Sequence, residues 1–564
     1  MSATAAADPL VRQFRQILLW PVQLVPEDER RPIRRHWELL QRTRDHPWKE
    51  IDEFTGDPKS FEARHYHEFV TFLPYVQRFL YGDELGARVG GYGESPMRVF
   101  RRGDVAGVRV WYPDDAEPVL FEVARVDLYF FYDLDIAILV VEIGAADIRL
   151  SRAQDTLFRL GRTYPAFWDG EGNAGNCARR VEWLDAAGEV LSASDYERRE
   201  EYLAYVCEHR SPRLGAHWEY LLHPIATRHQ GQGHGVRLRQ LEYHRMPVLA
   251  YLALDEPGLL TRADFVRLAF ATASGSSSKL SYSPVYLQDF ERRYCYDRDW
   301  GSEGADNAVR FLCCGHAFVM VGPASATYAT TTETGLLGQF RHELFLLGLI
   351  AHFHKAALLM LSDRLTVAIS RFDTDDEQSV LAFRRSIRQS LETFLRFTQR
   401  YWFHEVSDQA RARELFRMWS EHLGTDRLYA EVREEIQDMN SFLEADSVRR
   451  QTSTVVRLTV VTTFGLIGTI VTGFLGMNLI AAAEQPLAAK ALYFVLVLIP
   501  TIALTLYTIS KSARLSQFLE LLSDERAPVS TKLGGLIDVW RTPRDRMDRR
   551  GTNSHAADDS RRNA

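Results

Sequence analysis

RLTVVTTFGLIGTIVTGFLGMNLI, residues 457–480, decides the reading of this chain. From Leu458 onward it carries no charge, and it is long enough to cross a bilayer core as a helix. A second apolar run, ALYFVLVLIPTIALTLYTI at residues 491–509, follows after a short loop. Backbone amides have no water to bond in lipid, so two such runs are expected to form a transmembrane helical hairpin. Everything before the hairpin is then either a soluble domain or a stalk leading into it.

Arg449, Arg450 and Arg457 precede the first span, and Lys511 and Arg514 follow the second. The loop between holds only Lys490 and Glu484, so the positive-inside rule places both termini in the cytoplasm. No basic segment followed by an apolar core opens the chain at MSATAAADPL, so insertion is expected to depend on the hairpin. The chain is read as a multi-pass protein of the plasma membrane, the inner membrane in a bacterium.

Upstream, Thr425-Asp426 caps a helix in which Leu428, Val432, Ile436, Met439 and Leu443 recur at steps of three and four. No strong breaker stands between Thr425 and Gly465, which allows one helix of roughly 80 Å to run from the cytoplasm into the membrane. A helix that long needs partners along its length, so a symmetric oligomer is expected. If its membrane part lines a pore, one face holds Thr452, Val455, Leu458, Thr462, Leu466 and Thr469. Hydroxyl rings can bond the water shell of a hydrated cation, and aliphatic rings can close the path by dewetting. The alternative for each threonine is a bond back to its own helix or across a packed interface.

Leu458-Thr459, Thr463, Thr469, Gly473 and Gly476-Met477-Asn478, with Glu484 in the short loop, carry the spacing of a known family. This part of the chain resembles the CorA family of divalent-cation channels. Ile467, Leu475 and Leu479 stand where that family carries a proline and two aromatics, and its basic cluster after the last helix is reduced to Lys511 and Arg514. The resemblance implies that Gly476, Met477 and Asn478 form an outer selectivity mouth, with Glu484 concentrating cations at the entrance. It implies a homopentamer and passive, potential-driven entry of Mg²⁺, with Co²⁺ or Ni²⁺ as further cargo. It also implies closure when intracellular Mg²⁺ binds acidic groups. Weak candidates for that sensor are Asp133 and Asp135, or Asp373, Asp375 and Asp376. Two other readings stay open: a zinc-transporting member of the same superfamily, and a non-conducting membrane-anchored sensor or scaffold.

The fold class expected is α+β. A cytoplasmic mixed α/β domain spans 1–330, a helical bundle and stalk 331–453, the first transmembrane helix 454–480, the outer loop 481–490, the second transmembrane helix 491–510, and a cytoplasmic tail 511–564. Residues 120–131 and 136–143, joined at Tyr132-Asp133-Leu134-Asp135, read as a β-hairpin, and 236–243, 248–254 and 311–321 as strands. Helices are expected over 27–44, 60–80, 196–207, 263–272, 336–365, 377–403 and 409–423, with a Gly-rich break at Gly90–Gly93. Leu344–Ile350 is cut short by His352, His354 and Lys355, and so reads as a bundle helix rather than a span.

With 564 residues the chain can hold more than one sizeable core. A net charge of −7 argues against nucleic acid as partner, and five cysteines without framework spacing suit a reducing compartment. No cofactor is implied, and no complete catalytic set was found, so an enzyme is not expected. His342-Glu343 lacks a second metal ligand, since the residue four positions after His342 is Leu346. His352 and His354 are expected as interface or surface histidines, and Cys313-Cys314-Gly315-His316 as part of a strand with core cysteines. Ser276–Lys279 and His229–Gly235 are expected as loops.

Overall fold

The computed structural model describes residues 8–26, 35–42, 46–51, 63–82, 96–113, 115–225, 236–242, 245–275, 280–301, 309–324, 335–373, 376–480 and 486–489, with isolated positions from 491 to 507. The Gly90–Gly93 break, the loops at 229–235 and 276–279, Glu484, Asp375, most of the second apolar run and the tail lie outside the described residues. The chain divides into two compact units, Met1–Gln437 and Asp438–Ala564.

The first unit is α+β, built on one large sheet. Its strands are β1 (Leu10–Pro26), β2 (Trp48–Ile51), β3 (Met97–Arg102), β4 (Gly107–Trp111), β5 (Val119–Phe131), β6 (Ile136–Arg149), β7 (Arg180–Leu184), β8 (Val190–Ala193), β9 (Val236–Gln240), β10 (Val248–Leu254), β11 (Cys295–Tyr296), β12 (Arg310–Cys313) and β13 (Ala317–Pro323). They run in the order β11-β12-β13-β10-β1-β6-β5-β4-β7-β8, with β9 on β1 and the β2–β3 pair on β5. Only β10 and β13 pair in parallel among the described strands. Every residue of β10, β12 and β13 is buried, as expected for strands covered on both faces.

The hairpin β5–β6 forms where the β-branched and aromatic runs foretold it, turning through Asp133 at φ 62. The central strand, β1, mixes an apolar run, Ile17–Trp20, with residues that speak against a central strand. It has Pro21 and Pro26, and its buried amides Gln16 and Gln23 break the apolar alternation, yet it pairs along its length with β6, from Leu10↔Arg149 to Gln23↔Ile136. The single strand expected over 311–321 is two strands. Gly315, at φ 88, turns the chain between β12 and β13, and a Cβ there would stand 3.0 Å from the carbonyl oxygen of His422.

Helices cover both faces. They are α1 (Glu38–Arg42), α2 (Ala63–Thr71), α3 (Pro74–Tyr81), α4 (Leu150–Arg159), α5 (Arg199–His209), α6 (Ala216–Leu222), α7 (Arg262–Phe270), α8 (Phe290–Tyr294), α9 (Leu336–Ser370), α10 (Glu377–Arg400), α11 (Ala410–Leu423) and α12 (Thr425–Ile480). Of the helix expected over 27–44, only α1 falls among the described residues, and the one expected over 60–80 is broken at Pro74 into α2 and α3. α4 packs on β1 and β6, α7 on β12 and β13, and α9 on β1 and β6. α9 is the one described helix long and apolar enough to cross a membrane, and 89% of its apolar window is buried inside the unit. It is a core helix.

One turn of α9, Phe340–Leu344, is wound as a π-helix and carries Arg341 toward the sheet. There Arg341 Nε bonds Glu142 Oε1 at 2.5 Å, and Arg125 Nε lies 2.8 Å from Glu142 Oε2. Burial pushes the Glu142 carboxyl up, but the two guanidinium groups outweigh it and hold it below its usual range. The triad fixes α9 to the middle of the sheet.

Candidate functional site

α12 starts where Gly424 ends α11 in a left-handed turn at φ 67, and it runs for 56 residues. At 1.5 Å per residue that is about 84 Å. Its last fully buried residues are Val432 and Ile436. Beyond them, no described side chain of the helix is buried, although Val455, Leu458 and Leu466 are each more than 60% exposed. Exposed aliphatic side chains at this density mark an interaction surface.

The six residues expected to share a face, Thr452, Val455, Leu458, Thr462, Leu466 and Thr469, are all exposed. At 100° per residue they fall within an arc of about 120°. Three of the hydroxyls bond back along the helix: Thr452 to Val448 O at 3.0 Å, Thr462 to Thr459 O at 2.9 Å and Thr469 to Gly465 O at 2.9 Å. This is the alternative given for each threonine, and a hydroxyl that donates in this way keeps lone pairs able to accept.

Gly476, Met477 and Asn478 belong to the last turn of α12, which continues to Ile480. The chain therefore stays helical through the tripeptide instead of leaving the helix at Gly476. The side chains of Met477 and Asn478, and the whole of Glu484, lie outside the described residues.

Three of the acidic candidates, Asp133, Asp135 and Asp376, have carboxylates engaged by cations or by backbone. Asp133 lies 3.3 Å from Arg396 Nη1. Asp135 is paired with Arg364 and stands 3.2 Å from His36 Nε2. Asp376 caps α10 by accepting the Gln378 N–H at 3.0 Å, and the Asp373 N–H donates to Ser379 Oγ at 2.8 Å. Asp135 and Asp376 both border one groove of about 2160 Å³ among α5, β9, α9 and α10. Its walls are cross-linked by Arg239–Asp363 at 2.6 Å, Arg213–Glu201 at 3.1 Å and Lys355–Glu242 at 3.6 Å. Among the described residues no three His, Cys, Asp or Glu side chains converge as a metal site. The groove was invisible in the sequence because its walls come from segments about 150 residues apart, with no shared motif.

His352 and His354, expected at an interface or surface, are instead both buried in α9. Burial holds His354 at a pKa of about 3, while its Nε2–H donates to Tyr401 O at 2.6 Å. His342 Nδ1 lies 3.3 Å from Glu68 Oε2. Cys313 is buried, and Cys314, its thiol raised to about 11 by burial, sits 3.5 Å from His316 Nδ1. Neither sulfur is a reactive thiolate.

No protein-family model matches the chain, and no curated protein matches it. Among solved structures, it is similar to the complete structure of the CorA magnesium transporter from Methanocaldococcus jannaschii, at 14% identity. That similarity covers 49% of this chain and 93% of that one, with a TM-score of 0.17. The likeness is weak, and the reading below is built on this chain's own residues.

Proposed function

We propose that this chain is a CorA-like divalent-cation channel, with Mg²⁺ as its cargo and copies of α12 arranged around a central pore. The observation that carries the reading is α12 itself. A helix of 56 residues that buries nothing among its described residues after Ile436 cannot be a finished surface in a lone chain. Its exposed arc of threonines and aliphatics supplies one face for a pore, and its remaining apolar surface is left for lipid and neighbouring helices.

The chemistry follows from the hydrogen-bond sense of the ion's shell. Water bound to Mg²⁺ points its protons outward, so a wall that passes the hydrated ion must accept hydrogen bonds. Thr452 and Thr462 have committed their own protons to the helix backbone and present acceptor oxygens. Val455, Leu458 and Leu466 alternate with them, and rings of such side chains close a narrow path by excluding water. The Asn478 amide adds an uncharged acceptor at the end of the helix, where a ring of copies would hold a hydrated cation loosely enough to release it. In this reading residues 491–510 form the second span, both termini face the cytoplasm, and five copies make the pore.

The test is Mg²⁺ flux into liposomes carrying the purified chain, with an inside-negative potential and low internal Mg²⁺. Wild type is expected to conduct and Asn478→Ala to lose most of that flux. Full flux in the variant removes the mouth from Asn478, and a silent wild type removes the channel. Competition by Co²⁺, Ni²⁺ and Zn²⁺ then orders the cargo.

A further inference from the structure

The π-wound turn of α9, Phe340–Leu344, carries a buried acid beside the arginine that anchors it to the sheet. This is Glu343, 7% exposed. Unlike Glu142, which two guanidinium groups hold, its carboxylate makes neither a hydrogen bond nor an ion pair among the described residues. A buried acid left without a partner favours its protonated form, since the ionised form is the more costly to bury. Single π turns inside α-helices recur at functional sites.

α2 packs on this turn. It brings Glu68, 8% exposed, whose carboxylate accepts the Tyr81 hydroxyl at 2.6 Å and lies 3.3 Å from His342 Nδ1. The charged and titratable groups that face Glu343 are His67 and Glu68 from α2 and Arg411 from α11. On its own turn, Arg341 is held by Glu142 and His342 lies against Glu68. Arg411 is engaged elsewhere: it donates to Gln339 Oε1 at 3.1 Å and lies 3.8 Å from Asp299. Burial, with the like charge of Glu68 adding to it, raises the Glu343 carboxyl above its usual range, against the opposing pull of His67 and Arg411.

The far end of α2 is tied to the chain that leads into α11. The Leu73 N–H donates to Val406 O at 3.0 Å, Ser407 Oγ donates to Thr71 O at 2.5 Å, and Gln409 Nε2 donates to Thr71 Oγ1 at 3.2 Å. The Tyr75 hydroxyl donates to Glu405 O. Gln409 is the N-cap residue of α11, and α11 ends at the Gly424 turn where α12 begins. A change in how α2 sits on the π turn is therefore passed to the segment that starts α11.

We propose that Glu343 is a pH-dependent latch between α9 and α2. Protonated, it lets α2 sit on the π turn. As pH rises its proton passes to water, and the carboxylate left behind faces Glu68 while Arg411 is held by other partners. α2 then loosens, and residues 405–409 with it. By linkage, an acid that holds its proton more tightly when α2 is docked favours docking at low pH and loses that contribution as pH rises through its docked value. The latch lies within residues 1–437 and stands whether or not the chain conducts ions.

The test is hydrogen–deuterium exchange of the purified full chain at pH 5.5 and pH 8, read by peptide mass and corrected for the intrinsic pH dependence of exchange. Opening of residues 63–71 is expected to rise about tenfold or more at pH 8, with 405–409 following and α10 showing no such rise. Glu343→Gln, which keeps the shape and has no proton to lose, is expected to hold α2 equally closed at both pH values, within about twofold. Glu343→Met carries the same expectation and the test should the glutamine variant not fold. The proposal is overturned if wild-type α2 opens equally at the two pH values, if α10 opens to the same extent as α2, or if the variants keep the wild-type pH dependence.

Discussion

Lowering the pH from 7.5 to 5 should remove several kcal/mol from the stability of the first unit through its buried neutral histidines. Burial holds His217, His316 and His354 at pKa values of about 3. In the unfolded chain each titrates near 6.5. Folded pKa values below the unfolded ones mean that the unfolded chain binds the extra protons as pH falls. The stability these groups contribute is therefore complete above pH 6.5 and declines from there toward pH 3. At pH 5 the loss is about 2 kcal/mol for each histidine, from 1.5 pH units at 1.36 kcal/mol per unit. That figure does not depend on how far below pH 5 the folded values lie, because at pH 5 the folded rings are neutral in any case. Three such groups together lose about 6 kcal/mol, which rivals the whole stability of a typical domain. Carboxylates contribute to the same pH range, so the assay compares wild type with His354→Gln. Denaturant unfolding of the full chain, followed by tryptophan fluorescence, is measured at pH 7.5 and at pH 5. The variant is less stable at pH 7.5, but its loss between the two pH values should be about 2 kcal/mol smaller than that of wild type. Equal losses in the two proteins would refute the reasoning, since His354 would then bind protons alike in both states.

Two substitutions test the packing that supports the site. Glu142→Gln leaves Arg125 and Arg341 facing a neutral partner in the middle of the sheet and is expected to cost about 3–5 kcal/mol in denaturant unfolding. Gly348→Ala puts a Cβ 2.5 Å from the Trp419 ring and 3.2 Å from Leu249, in a core where Trp419 is already stacked on Phe318 at 4.5 Å. A loss of about 1–3 kcal/mol is expected, read as a lower melting temperature.

What the sequence disclosed and what it hid differ by mechanism. The β5–β6 hairpin and β10 were legible because each is rich in apolar, aromatic and β-branched residues, β10 without a break and the hairpin with only a few charged positions. The pattern that ends α11 at Gly424 and starts α12 at Thr425 was equally local. β1 was hidden because its place in the middle of the sheet is set by partners at 136–149 and 236–254, while its own prolines and amides speak against a central strand. The break between β12 and β13 was hidden in the same way, by a four-residue strand too short to show a period. The small cavity at the start of α12 was hidden because Trp402, Arg413, Arg417 and Asp426 form no motif and converge only through the turns between three helices.

The two longest apolar stretches make the sharpest contrast. α9 and the second half of α12 are both long apolar helices, and length and hydropathy alone do not separate a core helix from a span. The sequence argument used the early polar interruption at His352, His354 and Lys355, and the reason it works is visible in the fold. His354 gives its N–H to the backbone of Tyr401, and Lys355 stands 3.6 Å from Glu242. These two polar groups of α9 are placed against protein, where a partner is supplied at a fixed distance, and 89% of the helix's apolar window is buried. α12 after Ile436 has the opposite design. Its described polar side chains in the apolar run are threonines, and those with described bonds are satisfied by the preceding turn of their own helix. Among the described residues of its apolar run none carries a charge that asks for a protein partner, and none is buried. A helix that answers its own polar groups and leaves its aliphatic surface open is suited to a bilayer and to copies of itself, whereas one that hands its polar groups to neighbours is suited to a core.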